Sequence, residues 1–206
     1  MNFNYAAVAL FFLVVLLSAL LVFPTDLDMV TILKNGMFYD QAQSLLLGLG
    51  RERPGDVRVK RELLDILYLK GDFDAAQGVM DSLAASATRD PEVWRLAVKL
   101  ASAREEPLRE MAAYERLVAL LPADSEALHR LNDLYRWYQM PDSAAATLHT
   151  LIRHYPEETH HWIDLAWLFL RVGQGDSAAR LLEERLRMAP EDRESRLLLA
   201  ETLETL

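Results

Sequence analysis

The amino-acid sequence repeats itself every 34 residues over most of its length, and this period constrains the fold more than any other feature. Leucine, alanine and proline recur at fixed positions of the period. The recurring positions include Leu46, Met80, Tyr114, Leu148 and Leu182; Leu63, Ala97, Leu131, Leu165 and Leu199; Ala42, Ala76, Ala144 and Ala178; and Pro54, Pro122, Pro156 and Pro190. The period predicts an array of one structural unit rather than a single mixed domain.

Within each period the residue pattern predicts two amphipathic helices. Apolar residues recur three and four positions apart, as from Leu63 to Leu67, and this spacing places them on one helical face. Gly71 and Gly173 stand where the first helix of a unit ends, and Pro107 stands where a second helix begins, a place that tolerates proline. The pattern therefore predicts an all-α chain.

In residue type and spacing these positions resemble the tetratricopeptide repeat (TPR) family, over residues 25–206. The positions that carry the resemblance are Trp94 and Trp162; Gly71 and Gly173; Ala76, Ala144 and Ala178; Tyr114, Leu148 and Leu182; and Pro122, Pro156 and Pro190. The resemblance implies stacked helical hairpins that form a right-handed superhelical solenoid with a concave groove. The predicted units are 25–56, 57–90, 91–124, 125–158 and 159–192, followed by a terminal helix at 193–206.

Two residues depart from the family pattern. Glu110 stands where a small alanine is expected, and Arg185 occupies a position that is usually small or apolar. The unit at 91–124 is therefore expected to be less regular than its neighbours.

A separate feature precedes the repeats. Residues 6–23 carry no charge, and Ser18 is their only polar residue; a helix of this length spans about 27 Å, close to the hydrocarbon thickness of a bilayer. A cleaved signal peptide is the alternative, but no lysine or arginine precedes the run and no small-x-small site lies near its end. Residues 1–24 are predicted to be an uncleaved transmembrane anchor.

The orientation of this anchor follows from weak signals. Lys34 is the only basic residue between the apolar run and position 50, whereas Asp26, Asp28 and Asp40 follow the run. Basic loop residues set topology far more strongly than acidic ones. The charges favour an inner-membrane protein with a periplasmic body, and a cytoplasmic body stays open.

The sequence shows no pattern typical of a catalytic or cofactor site. There is no cysteine, and a formal net charge of −9 argues against a general nucleic-acid binder. The five histidines lack metal-ligand spacing, and the adjacent His160 and His161 are expected to point to different sides of a polar helix surface. Gly48 and Gly50 belong to no complete phosphate-loop motif and are predicted to form a turn. We therefore expect no cofactor, no metal and no enzyme activity.

The resemblance also implies which residues line the groove, because the first helix of each TPR unit faces it. Carried over position by position, the candidate groove residues are Arg58, Arg61, Tyr68, Arg95, Lys99, His129, Arg136, Trp137, Trp167 and Arg171. Arginines would bind carboxylates and tryptophans would anchor apolar side chains of a protein partner. Two alternatives remain: a lining without ligand, or Trp167 packed against a neighbouring unit. Trp94 and Trp162 are expected to be core residues.

These features predict a non-catalytic, membrane-anchored scaffold or assembly factor for a bacterial envelope complex, such as exopolysaccharide export or secretion machinery. One alternative is a structural subunit that self-associates through its C-terminal helix, which carries Leu197, Leu198, Leu199, Leu203 and Leu206. Another is a hydrolase or transferase with a site hidden in the groove.

Overall fold

A computed structural model describes residues 24–86 and 88–205, and all regular structure within these residues is helical, as the periodicity predicts. The helices are α1 (Asp26–Asn35), α2 (Tyr39–Glu52), α3 (Val57–Leu69), α4 (Phe73–Ala85), α5 (Pro91–Ala103), α6 (Pro107–Leu120), α7 (Ser125–Trp137), α8 (Pro141–His154), α9 (Thr159–Arg171), α10 (Gly175–Met188) and α11 (Arg193–Thr205). Among them, none is both long and apolar enough to cross a bilayer. The predicted anchor at 6–23 lies outside the described residues.

The chain divides into two compact units, Met1–Thr88 and Arg89–Leu206. In the first unit, α1 to α4 pack in sequence order, and α1 also contacts α3. Its core joins aliphatic side chains from the first three helices, namely Val30, Ala42, Leu46, Leu49, Val59 and Ile66. Small Ala42 and bulky Leu46 lie one turn apart on α2, so the recurring alanine gives room for close helix approach.

The second unit contains α5 to α11, and its main core lies among α7 to α11. Trp162 of α9 is buried in this core, and its indole Nε1 donates a hydrogen bond to the Pro156 carbonyl at 3.0 Å. Trp94 is half-buried. The helix α9 contacts α8, α10 and α11, which makes it the most enclosed helix of this unit.

The first helix of every hairpin ends in the same way. Residues 37, 71, 105, 139 and 173 all have φ between +55° and +75°. In each case the next backbone N–H donates to the carbonyl five residues before it, as from Asp72 to Leu67, which is the Schellman arrangement. Only two of the five are glycine, and the left-handed conformation costs the others about 1 kcal/mol each. Tertiary packing therefore imposes the repeat's turn where the sequence has lost its glycine.

Acidic caps mark the start of several first helices. Side chains of Asp56, Asp90, Asp124 and Asp192 accept hydrogen bonds from backbone N–H groups of α3, α5, α7 and α11. Such a cap satisfies donors that have no partner within the helix. These four caps share the 34-residue spacing, so they fix where consecutive units begin.

Two expectations are wrong in detail. Gly48 and Gly50 lie inside α2 rather than in a turn, because the buried stripe of Leu46 and Leu49 outweighs a propensity cost of about 1 kcal/mol for each glycine. The unit at 91–124 is not less regular, since α5 and α6 have 13 and 14 residues, like the other hairpins. Glu110 is partly exposed there, so the hairpin accommodates it at its edge.

Arg185, the second departure from the family pattern, is a buried hydrogen-bonding centre. Its side chain on α10 is 6% exposed. The guanidinium donates to Asp192 Oδ2 at 2.9 Å, to Thr159 Oγ1 at 2.8 Å, and to the carbonyls of Pro156 and Glu157 at 3.0 and 3.1 Å. It thereby joins the loops that precede α9 and α11.

The last described helix, α11, buries only part of its leucine surface. Leu198 is buried against the core, whereas Leu197 and Leu203 are 64% and 55% exposed. One helical stripe contacts α9 and α10, and these two leucines lie off that stripe.

Candidate functional site

The first unit presents charges that largely neutralise one another. Lys34 of α1 reaches two carboxylates of α3, Glu62 at 2.8 Å and Asp65 at 2.9 Å. Burial acts to lower the pKa of Lys34, but the hydrogen bonds from these carboxylates outweigh it and the pKa is raised. Arg61 lies 3.3 Å from Glu62. The remaining candidates, Arg58 and Tyr68, are exposed and half-buried.

In the second unit, Arg95 and Lys99 line a cavity of about 360 Å³ that also contains Asp124 and Glu126. The Arg95 guanidinium lies 2.8 Å from Asp124 Oδ2 and 3.2 Å from Glu92 Oε1. This part of the predicted basic wall is therefore compensated by acidic neighbours, so an anionic ligand would have to compete with them.

A second cavity in this unit, of about 460 Å³, is lined by basic and apolar residues without any carboxylate. Its lining residues are Arg136, Gln139, Met140, Pro141, Ala144, Leu168, Arg171 and Val172. Two guanidinium groups from successive first helices, α7 and α9, thus face one concavity. We call this the two-arginine cavity.

Two exposed tryptophans lie next to the arginines of this cavity in the chain. Trp137 follows Arg136 at the end of α7 and is 81% exposed; Trp167 is 49% exposed and lies one turn before Arg171 on α9. Residues four apart share a helical face. Half of the Trp167 side chain is therefore available to a ligand on the face that carries Arg171.

Three histidines of the second unit come together. His129 of α7 is half-buried, His160 of α9 is exposed, and the adjacent His161 is 1% exposed. The ring centroids of His160 and His161 are 3.9 Å apart, and those of His129 and His161 are 5.0 Å apart. We call this the histidine cluster. The expectation that all histidines lie on a polar surface and that His160 and His161 diverge is wrong.

The reason for this convergence is the position of His161. One period apart, the equivalent positions hold Val59, Val93, Ala127 and Ser195, all buried. An imidazole in this core position must turn toward the preceding hairpin, where His129 lies. A histidine in a column of small and aliphatic residues was the available sequence signal.

The electrostatics of the cluster favour neutral imidazoles. Burial, followed by the neighbouring His160 and His129, lowers the pKa of His161 to about 4. The Nδ1 atom of His161 is buried without a hydrogen-bond partner. His160 Nδ1 lies 3.4 Å from Glu158 Oε2. The ligand atoms of the three histidines all lie within 4.8 Å of one another, a separation from which side-chain rotation can bring them onto one ion.

Comparison with known proteins identifies the repeat. Two family models described as tetratricopeptide repeat match residues 39–100 and 159–202. The chain therefore carries tetratricopeptide repeats, and the resemblance that its residue columns showed is confirmed. A search of curated proteins finds no match.

Solved structures agree on the fold. They include MamA (15% identity, TM-score 0.54, covering 82% of this chain and 92% of that one) and a tetratricopeptide repeat protein from Parabacteroides merdae (17%, 0.56, 86% and 70%). A third is YrrB, described as a TPR protein with an unusual peptide-binding site (11%, 0.55, 87% and 90%). At these identities the likeness shows the fold alone.

Proposed function

We propose that this chain is a non-catalytic scaffold that binds a segment of a protein partner at the two-arginine cavity and the neighbouring Trp137 and Trp167. TPR proteins generally mediate protein–protein interactions, and their fold is typically non-catalytic. The observation that carries the proposal is the pairing of two arginines without a lining carboxylate and two exposed indoles on the same first helices.

The chemistry of this surface indicates the ligand. Arginine binds carboxylates through a planar fork of donors, and a volume of about 460 Å³ lies in the range of natural ligand pockets. Exposed tryptophan offers a large apolar area with little loss of side-chain freedom on binding. The matching segment carries one or more carboxylates beside an apolar side chain.

The test is capture of partners from solubilised membranes by the full-length chain, with identification by mass spectrometry. A partner segment of the stated chemistry is then synthesised and titrated against the chain. The alternative, self-assembly through Leu197 and Leu203, would give a mass in detergent that rises with concentration. A chain that stays monomeric and captures no protein would contradict both.

The double variant Arg136→Glu/Arg171→Glu is expected to bind the captured partner much more weakly at low salt, with a smaller difference at high salt. Reversed charges repel the partner's carboxylates, and salt screens that repulsion over about 10 Å at 0.1 M. Binding is measured over a salt series. The control is Arg153→Glu/Arg187→Glu, which makes the same charge change at exposed positions on α8 and α10. Equal weakening by both variants would indicate a general charge effect.

For the location of the protein we keep the sequence-based proposal of an anchor at 6–23 with the repeats in the periplasm of a bacterial envelope, serving exopolysaccharide export or secretion machinery. The uninterrupted apolar run and the missing cleavage signal support it. We expect the mature protein to fractionate with membranes, and added protease to digest its repeats in spheroplasts. An N-terminus after residue 20 would contradict the anchor, and full protection would place the repeats in the cytoplasm.

A further inference from the structure

We propose that the histidine cluster, formed by His129, His160 and His161, binds a divalent transition-metal ion of the zinc type. Neutral imidazole is a common ligand of zinc in proteins. The proposal is independent of the partner-binding function, and it rests on the convergence of three imidazoles from two different hairpins.

The geometry is close to what zinc requires. Imidazole nitrogens bind zinc at about 2.0–2.1 Å, so tetrahedral ligands lie about 3.4 Å from one another. The histidine donor atoms already lie within 4.8 Å of one another. His160 is exposed, so its side chain can rotate to close the remaining gap while the backbone of α9 stays in place.

Two neighbouring features favour a bound cation. The buried Nδ1 of His161 has no hydrogen-bond partner, and a buried polar atom without a partner is unfavourable. Glu158 Oε2 lies 3.4 Å from His160 Nδ1, and a carboxylate at one ring nitrogen orients the other nitrogen toward a metal and raises its basicity. His161 thus has an unmet demand for a partner, and His160 has a group that positions it.

The charged surroundings are compatible with this ion. His160 and His161 lie in the first turn of α9, where the helix dipole disfavours positive charge. The same dipole keeps the imidazoles unprotonated, which is their metal-binding form, and the Glu158 carboxylate opposes it locally. Three protein ligands leave a fourth tetrahedral position for water or for a donor from another molecule.

The metal alone serves as the probe. The full-length chain is freed of metal with a chelator in detergent micelles and titrated with Zn²⁺ by calorimetry and with Co²⁺ by visible absorption. We expect one ion per chain and the intense visible bands of tetrahedral Co²⁺. His129→Ala and His160→Ala should each weaken Zn²⁺ binding by more than about tenfold, and Glu158→Gln by about tenfold.

The controls separate this site from incidental histidine binding. The variant His149→Ala/His154→Ala leaves only the three cluster histidines among the five of the chain, and it should bind Zn²⁺ like the parent. Circular dichroism checks that each variant keeps its helices; His129 and His160 are not fully buried, so their replacement spares the core. The proposal is overturned if the parent binds no ion, if His129→Ala and His160→Ala bind normally, or if the control variant loses binding.

Discussion

Replacing Arg185 by methionine is expected to lower the free energy of unfolding of the second unit by about 3–5 kcal/mol. The Arg185 guanidinium provides four hydrogen bonds, including one to Asp192 Oδ2 at 2.9 Å. Its removal leaves the Asp192 carboxylate nearly buried without its charge partner and leaves two loop carbonyls without a donor. The loops before α9 and α11 then lose their common anchor.

The measurement is urea unfolding followed by circular dichroism, with Arg187→Met as the control. Arg187 lies on the same helix but is exposed, so its replacement should change stability by less than about 0.5 kcal/mol. Adding Asp192→Asn to Arg185→Met should recover part of the loss, because the amide can still cap α11 without a buried charge. Equal stability of the Arg185 and Arg187 variants would contradict this account.

The same ion pair predicts how acid affects the unit. Burial acts to raise the pKa of Asp192, but hydrogen bonds from the Ser195 N–H, Arg185 and Thr159 outweigh it, and the pKa is lowered. A carboxyl with a lower pKa in the folded state stabilises the fold above its unfolded pKa of about 4 and loses that contribution as the pH falls further.

The second large effect is expected at Trp167. Its replacement by alanine should weaken binding of the captured partner by about thirtyfold, which corresponds to about 2 kcal/mol, while the helical content stays unchanged. The reason is that a half-exposed indole on the face of Arg171 offers an apolar anchor to the partner's side chain. Titration of the partner segment measures the affinity, and circular dichroism measures the helices.

Met188→Ala is the control for this variant, because Met188 is another exposed apolar side chain, located on α10. It should bind the partner normally. If Trp167→Ala unfolds the second unit, the buried half of the indole is a core contact and the groove assignment at this position is wrong. If the variant folds and binds normally, the partner contacts a different surface.

The repeat period determined the helical hairpins, because each 34-residue unit carries its own apolar stripes, turn residues and helix starts. The first helix runs over 26–35 and two second helices begin at Pro107 and Pro141, as local sequence chemistry requires. Even the turns without glycine follow this rule, since Glu105 and Gln139 adopt the left-handed conformation that Gly71 adopts.

The sequence also selected the exposed indoles, because Trp137 and Trp167 lie outside the tryptophan column that Trp162 occupies in the core. It did not distinguish the arginines that meet carboxylates from those that line a cavity without them. Arg95 and Arg136 occupy groove positions of successive units, yet Arg95 contacts Asp124 and Arg136 lines the two-arginine cavity. Charge pairing depends on side chains about 30 residues apart, which no local pattern reports.

Local sequence therefore determined what depends on neighbours within a single hairpin: helix type, helix ends and the buried stripe. Only the tertiary structure decided how residues from different hairpins meet. It turned Arg185, an anomaly in its column, into a buried link between two loops, and it brought His161 to His129 across 32 positions. Periodicity fixes which face a residue occupies, whereas packing between hairpins fixes which side chain it meets there.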